Sequence, residues 1–208
     1  MNPHQSEYVG SIVSASRALR DLINDILDLS QIDSGTMALD LEDIDLHHLL
    51  SMITDQVQTG AVSLGLTINL ECSSDAGRFV DDRNRIGQVM FSLLSNAVRF
   101  TPRGGSITVG GRILGDDVEL WVSDTGPGLP QEAMPAAFER FVARSSAGKS
   151  GAGLGLALVN HFVQLHNGWV ELESAADKGT KVTCYLPRNA TTRAANAGED
   201  TLLARATG

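Results

Sequence analysis

The chain is poor in several features that would place it in other classes. Its 208 residues hold two cysteines, Cys72 and Cys184, far apart in sequence. So few argue against a disulfide framework and fit reduced, buried thiols in a cytoplasmic protein. No apolar run approaches the roughly 18 residues that cross a bilayer, and no signal peptide opens the chain. The expectation is a soluble cytoplasmic segment, any membrane anchor being carried elsewhere in a longer parent. Basic residues are the minority, 16 against 25 acidic, for a net charge of -9. That balance argues against nonspecific binding to nucleic acid or to an anionic membrane. There is no internal repeat. The hydrophobic content of 42% suffices for the core of one or two domains.

Periodicity supplies the elements. Residues 6–33 read as one helix, with Ile12, Ala15, Leu19, Leu22, Ile26 and Leu29 recurring at steps of three and four. Such a seam needs a partner helix. Gly35 stops it. Met37 to Leu41 reads as a short strand. Asp45 is placed to cap a helix over about 46–59, and Asp82 to cap another whose apolar face is Ile86, Val89, Met90, Leu93, Leu94 and Ala97. Leu66–Cys72 and Arg78–Val80 read as strands. Ile107–Val109 and Val118–Val122 read as a hairpin turning at Leu114-Gly115-Asp116-Asp117. Leu154–His166 reads as a helix, and Trp169–Glu173 with Lys181–Leu186 as a last hairpin. Mixed, mostly antiparallel strands with three longer helices make an α+β sandwich preceded by one long bundle-type helix.

Three polar boxes interrupt this pattern in order. Ser95-Asn96-Ala97-Val98-Arg99-Phe100-Thr101-Pro102 ends the second capped helix, Asp124-Thr125-Gly126-Pro127-Gly128 follows a strand, and Gly151-Ala152-Gly153-Leu154-Gly155-Leu156 opens a helix. A carboxylate at Asp124 can accept from an exocyclic amine, which adenine offers at N6 and guanine does not. An isolated Asp there would be read as a turn residue bonding its own backbone. Gly126 and Gly128 would let the backbone approach a flat ligand. Gly151, Gly153 and Gly155 lead into a helix whose free N–H groups favour phosphate. Ser92, Asn96 and Arg99 share one helix face. There Asn96 suits a Mg²⁺ ligand beside phosphates, with Arg99 reaching a phosphate directly. Between the boxes lies a long loop whose aromatics, Phe138 and Phe141, would anchor a lid. Its cations are Arg140, Arg144 and Lys149.

Together these boxes resemble the N, G1, F and G2 boxes of the sensor histidine kinases, which share an ATPase family with DNA gyrase, Hsp90 and MutL. Asn96, Asp124, Gly126, Gly128, Phe138, Phe141, Gly151, Gly153 and Gly155 match that pattern, and Gly179-Thr180 resembles its last short box. Leu22 to Gly35 resembles the end of the second dimerisation helix. The resemblance implies a Bergerat-type two-layer sandwich binding ATP and Mg²⁺ under a lid. It implies three segments: residues 1–35 as the second dimerisation helix without its first, 36–188 as the ATP-binding domain, and 189–208 as a disordered tail. It implies nucleotide contacts from Asn96, Arg99, Phe100, Asp124, Gly126, Gly128, Phe141, Lys149, Gly151, Gly153, Leu154, Gly155, Leu156 and Thr180. Metal contacts fall to Asn96 and Ser92, and catalytic roles to Asn96, Arg99 and Arg144. In the longer parent it implies a homodimer through the helical hairpin, signalling to a response regulator or histidine phosphotransfer protein.

The chain departs from the pattern in four places. None of His4, His47, His48, His161 and His166 sits in a phosphoacceptor box, so the acceptor is expected on a helix outside this chain. Ser92 replaces a supporting Asn, Arg99 replaces Lys, and Phe141-Val142-Ala143-Arg144 separates an aromatic from an Arg that usually follows it at once. These changes thin the metal and γ-phosphate contacts but spare the adenine contacts. They look like a divergent alphaproteobacterial member of the family in which Tyr replaces the acceptor His and which acts largely as a scaffold. Two readings follow, an active histidine kinase module and a pseudokinase scaffold. Ser92 stands where gyrase-like ATPases carry their water-activating Glu, which disfavours that third class.

Overall fold

The computed structural model describes residues 37–139 and 155–190 continuously, and scattered positions between 8 and 34. The chain divides into two compact units, residues 1–38 and 39–208. Within the first, the described positions from Tyr8 to Gln31 are helical. Of the seam residues, Ile12, Leu19 and Ile26 are exposed and Leu29 is buried. Ala15, Leu22 and the stop at Gly35 lie outside the described residues.

The second unit is a two-layer α/β sandwich. Strands β2 (Thr67–Glu71), β4 (Ser106–Leu114), β5 (Asp117–Asp124), β6 (Trp169–Ser174) and β7 (Thr180–Pro187) form one sheet in the order β2-β4-β5-β7-β6. Among the described residues of this sheet, β2–β4 is the one parallel pair. A separate ribbon pairs β1 (Glu42–Asp45) with β3 (Arg78–Asp81), antiparallel. The helices are α1 (Leu46–Ser63), α2 (Arg83–Phe100) and α3 (Gly155–Leu165). Alternation sends Ile107, Val109, Val118, Leu120, Val122, Val182, Cys184 and Leu186 into the core beneath them. Burial pushes the Cys184 thiol up to about 12, so it remains protonated.

Both expected caps form. Asp45 Oδ1 accepts from the His48 amide at 2.9 Å, and Asp82 Oδ1 from the Arg85 amide at 3.0 Å. All six expected apolar positions of α2 are buried. The helix stops at Thr101, whose ψ of 130° is the extended conformation forced before Pro102. Helix α3 ends in a left-handed residue, Asn167, at φ 59°. The Gly168 amide reaches back to the Val163 carbonyl and the Asn167 amide to that of Gln164, which makes a Schellman cap.

Two expectations are corrected. Met37 to Leu41 forms no ladder, and the strand begins at Glu42. The Asp40 amide is taken by Asp82 Oδ2 at 3.0 Å, so it is not free to pair with a strand. Packing also continues past residue 188: Asn189 bridges Val80, and Ala190 is buried. Residues 191–208 lie outside the described residues.

Adjacent glycines in β4 serve opposite faces of the sheet. A Cβ on Gly111 would stand 2.6 Å from Leu50 of α1, while one on Gly110 would stand 2.0 Å from the Trp121 ring. Alternation therefore lets one glycine admit a helix and the next admit an indole.

Candidate functional site

Asp124 is the last residue of β5, opposite Thr180 on β7. Its Oδ1 accepts from the Gly126 amide at 2.7 Å, and the Thr180 amide lies close enough to favour the ionised carboxyl. Burial pushes the carboxyl above its ordinary value, while the two amides pull the other way. The turn expected of an isolated Asp is therefore present. It leaves a half-buried carboxylate with lone pairs beyond those the turn uses.

The glycines beside it have a different cause from the one expected. Gly128 has φ 65°, and a Cβ there would fall 1.9 Å from the Ala175 carbonyl oxygen. A Cβ on Gly126 would fall 2.7 Å from Asp124 Oδ1 and 3.4 Å from the Phe100 carbonyl oxygen. Gly128 thus lets backbone approach backbone, and Gly126 leaves room for the Asp124 carboxylate that its own amide binds. The same loop is tied to the β6–β7 turn. Ser174 Oγ accepts from the Leu129 amide at 2.8 Å and lies 2.9 Å from both the Gly179 carbonyl oxygen and Thr180 Oγ1. Ser174 was not legible as a site residue, because no local pattern marks it.

Helix α2 joins this loop to the second glycine box. At its end, Phe100 meets Gly126. Further back, a Cβ on Gly155 would lie 3.0 Å from Ser92 Oγ and 3.3 Å from Asn96 Nδ2. Ser92 Oγ donates to the Gly155 carbonyl oxygen at 3.3 Å. The structure thus brings Ser92, Asn96 and Phe100 on α2, Asp124, Gly126 and Gly128, Gly155 at the head of α3, and Gly179-Thr180 to one end of the sandwich. Leu156 follows in the first turn of α3, half-buried. Arg99 is exposed in the last turn of α2, where its charge also complements the helix C-terminus. Phe138 is half-buried at the end of a 3-10 turn, Pro135–Phe138. Arg140, Phe141, Arg144, Lys149, Gly151, Gly153 and Leu154 lie outside the described residues.

Among the described residues no cluster of three or more His, Cys, Asp or Glu is placed to hold a metal. No described helix is long and apolar enough to cross a membrane. Two shallow grooves, of about 310 and 330 Å³, indent the chain, and neither is lined by Asn96, Asp124 or Gly155.

A mixed sheet under three helices, with a half-buried Asp at one strand end and a glycine-led helix facing an Asn, defines an ATPase-type nucleotide module. The chain belongs to the family of histidine kinase-, DNA gyrase B- and HSP90-like ATPases, whose model matches residues 81–190. Its relatives are sensor kinases. It is 42% identical to the sensor protein DivL of Caulobacter vibrioides over 180 residues, 86% of this chain and 23% of that protein. It is 34% identical to the circadian input-output histidine kinase CikA of Synechococcus elongatus over 194 residues, 90% of this chain and 26% of that protein. It superposes on full-length ShkA, solved in complex with AMPPNP, with a TM-score of 0.78 and 27% identity, covering 90% of this chain and 39% of that one. The chain therefore spans about a quarter of the length of these curated relatives, 23% and 26%.

Proposed function

We propose that this chain is the ATP-binding part of a sensor histidine kinase, passing the γ-phosphoryl group to a His supplied outside these residues. The observation that carries this reading is the placement of Asp124. A half-buried carboxylate, fixed by the Gly126 amide and set opposite Thr180 on β7, shares one end of the fold with Asn96 and the head of α3. That set fits an adenine nucleotide. Asp124 would accept from N6, with Gly126, Gly128, Phe100 and Thr180 around the base. The amides leading into α3, from Gly151, Gly153, Leu154, Gly155 and Leu156, would take phosphate. Asn96, supported by Ser92, would face Mg²⁺ carried on the phosphates. Arg99, Phe141, Arg144 and Lys149 would complete the phosphate side. Asn96, Arg99 and Arg144 would carry the transfer, by positioning and charge neutralisation.

The wider assignments belong to the same proposal. Residues 1–35 would form part of a dimerisation hairpin and 36–190 the ATP-binding domain, followed by a tail. The parent is a homodimer working in the cytoplasm on a response regulator or phosphotransfer protein. ShkA's complex with AMPPNP supports a nucleotide site of this kind.

The Ser92 hydroxyl favours a second reading. It is spent on the Gly155 carbonyl, where a metal-supporting side chain is expected. The second reading is a nucleotide-binding scaffold that transfers no phosphate. Calorimetric titration with ATP, with and without Mg²⁺, tests the site: binding tightened by Mg²⁺ is expected, and no binding overturns both readings. Transfer of label from γ-labelled ATP to the full-length parent then separates them. Labelling is expected for the kinase, and binding without labelling for the scaffold.

A further inference from the structure

Two ionisable side chains outside the nucleotide site are completely buried against each other. His166 caps the far end of α3, and its Nδ1 contacts Asp81 Oδ1; both side chains are 0% exposed. Asp81 is the last residue of β3, and its Oδ1 also accepts from the Asp82 amide at 2.9 Å. Asp82 is in turn the cap of α2. Two consecutive carboxylates therefore hold the starting end of α2 and the finishing end of α3. His166 Nε2 and Asp81 Oδ2 have no hydrogen-bond partner among the described residues.

A buried pair left half-satisfied adds little stability compared with apolar residues of the same shape. What it fixes is a distance. Leu against Val tolerates sliding, whereas one polar contact between two buried groups has one good separation.

The contacts along the α2–α3 seam show which separation is fixed. Ser92 meets Gly155, the Arg85 guanidinium lies 5.3 Å from the Phe162 ring centre, and Asp81 meets His166. From Ser92 back to Arg85 is seven residues, as from Gly155 on to Phe162. From Arg85 to Asp81 is four, as from Phe162 to His166. The two helices thus run antiparallel through the Ser92–Gly155 and Arg85–Phe162 contacts, and the Asp81–His166 contact continues the same register just beyond the start of α2 and the end of α3. At 1.5 Å per residue, the last contact lies about 16 Å from the head of α3.

We propose that Asp81 and His166 are a positioning pair for the nucleotide site. They set the depth of α3 along α2, and so hold the glycine-led head of α3 against Ser92 and Asn96. Neither residue touches the ligand. A slip of α3 would move the phosphate cradle relative to Asn96 and leave Asp124 and Thr180, on β5 and β7, in place.

This rests on reading the site as one for ATP, and the test separates the two. The full chain is titrated calorimetrically with Mg-ATP and with adenosine, as wild type, Asp81→Asn, His166→Asn and the double variant. Asp81→Asn keeps the volume and an acceptor for the Asp82 amide, so it decides alone if circular dichroism shows that His166→Asn does not fold. Each single variant is expected to weaken Mg-ATP about tenfold and adenosine by no more than about twofold. The double variant is expected to lose no more than either single, as for two groups acting as one unit. Equal losses for both ligands, or no change for either, overturn the positioning role. A wild-type chain that binds adenosine but not Mg-ATP overturns it as well. A wild-type chain that binds neither overturns the ATP reading itself, and this proposal with it.

Discussion

Gly179 stands so close to Asp124 that a Cβ on it would fall 1.9 Å from the Asp124 carbonyl oxygen. Its φ of 82° is left-handed besides, so two independent constraints demand glycine. Gly179→Ala is expected to destabilise the fold by about 1–3 kcal/mol and to weaken adenosine binding, because Thr180 moves with it. Gly60, inside α1, has nothing within 4 Å of its would-be Cβ. Gly60→Ala should instead stabilise by about 0.5–1 kcal/mol. Thermal melts of the two variants check both signs. A Gly179→Ala protein melting with wild type would overturn the close approach.

Asp124→Asn tests the base-reading role. Asn keeps an acceptor for the Gly126 amide, so the turn should survive and the melting temperature should change little. It cannot offer the same charged oxygen to an amine, and ATP affinity should fall by about 1.5–3 kcal/mol. Unchanged affinity in a titration of the variant would sink the adenine assignment.

Acid gives a second view of the same carboxyl. Burial raises its folded-state pKa above the ordinary 3.8. For stability, the protonated form is the one folding favours, so this group costs stability as pH rises through its folded pKa. For binding the sign is opposite, since the ionised form is the better acceptor. ATP affinity should therefore begin to fall, on acidification, at a higher pH than an ordinary Asp would set. The effect is isolated by subtracting the Asp124→Asn profile; coincident profiles would dismiss it.

Asp82 makes two unrelated bonds, capping α2 through the Arg85 amide and holding the incoming chain through the Asp40 amide. Asp82→Ala removes both from a site that is 4% exposed. A loss of about 2 kcal/mol is expected in denaturant unfolding, the sum of a cap and one further bond. A loss no larger than that of a surface substitution would mean that water replaces both bonds.

What could be read from the chain is what local periodicity and end signals encode. The apolar face of α2 follows from its spacing, the caps from Asp45 standing just before α1 and Asp82 just before α2, and the β4–β5 turn from Gly115 at φ 61°. The meeting of Asp124, Asn96 and Gly155 at one end of the fold was legible because the order of the boxes in the chain is itself a signal. Met37 to Leu41 misled because alternation says nothing about whether a partner strand exists. The purpose of Gly128 was hidden for a similar reason: its collision is with Ala175, on a distant loop. Asp81 and His166 stand 85 residues apart, and each looks ordinary alone. Pairing across such a separation leaves no trace in a window of neighbours.

The β5–β7 pairing also orders events during synthesis. A ribosome makes Asp124 and its amide donor, on Gly126, almost together. Thr180, the partner of Asp124 across the ladder, arrives only with β7. A nascent chain halted before that strand would already carry α3 and Asn96, yet Asp124 would lack the strand that stands beside it. On the proposed site, ATP would therefore stabilise this unit only once β7 has been made and paired with β5.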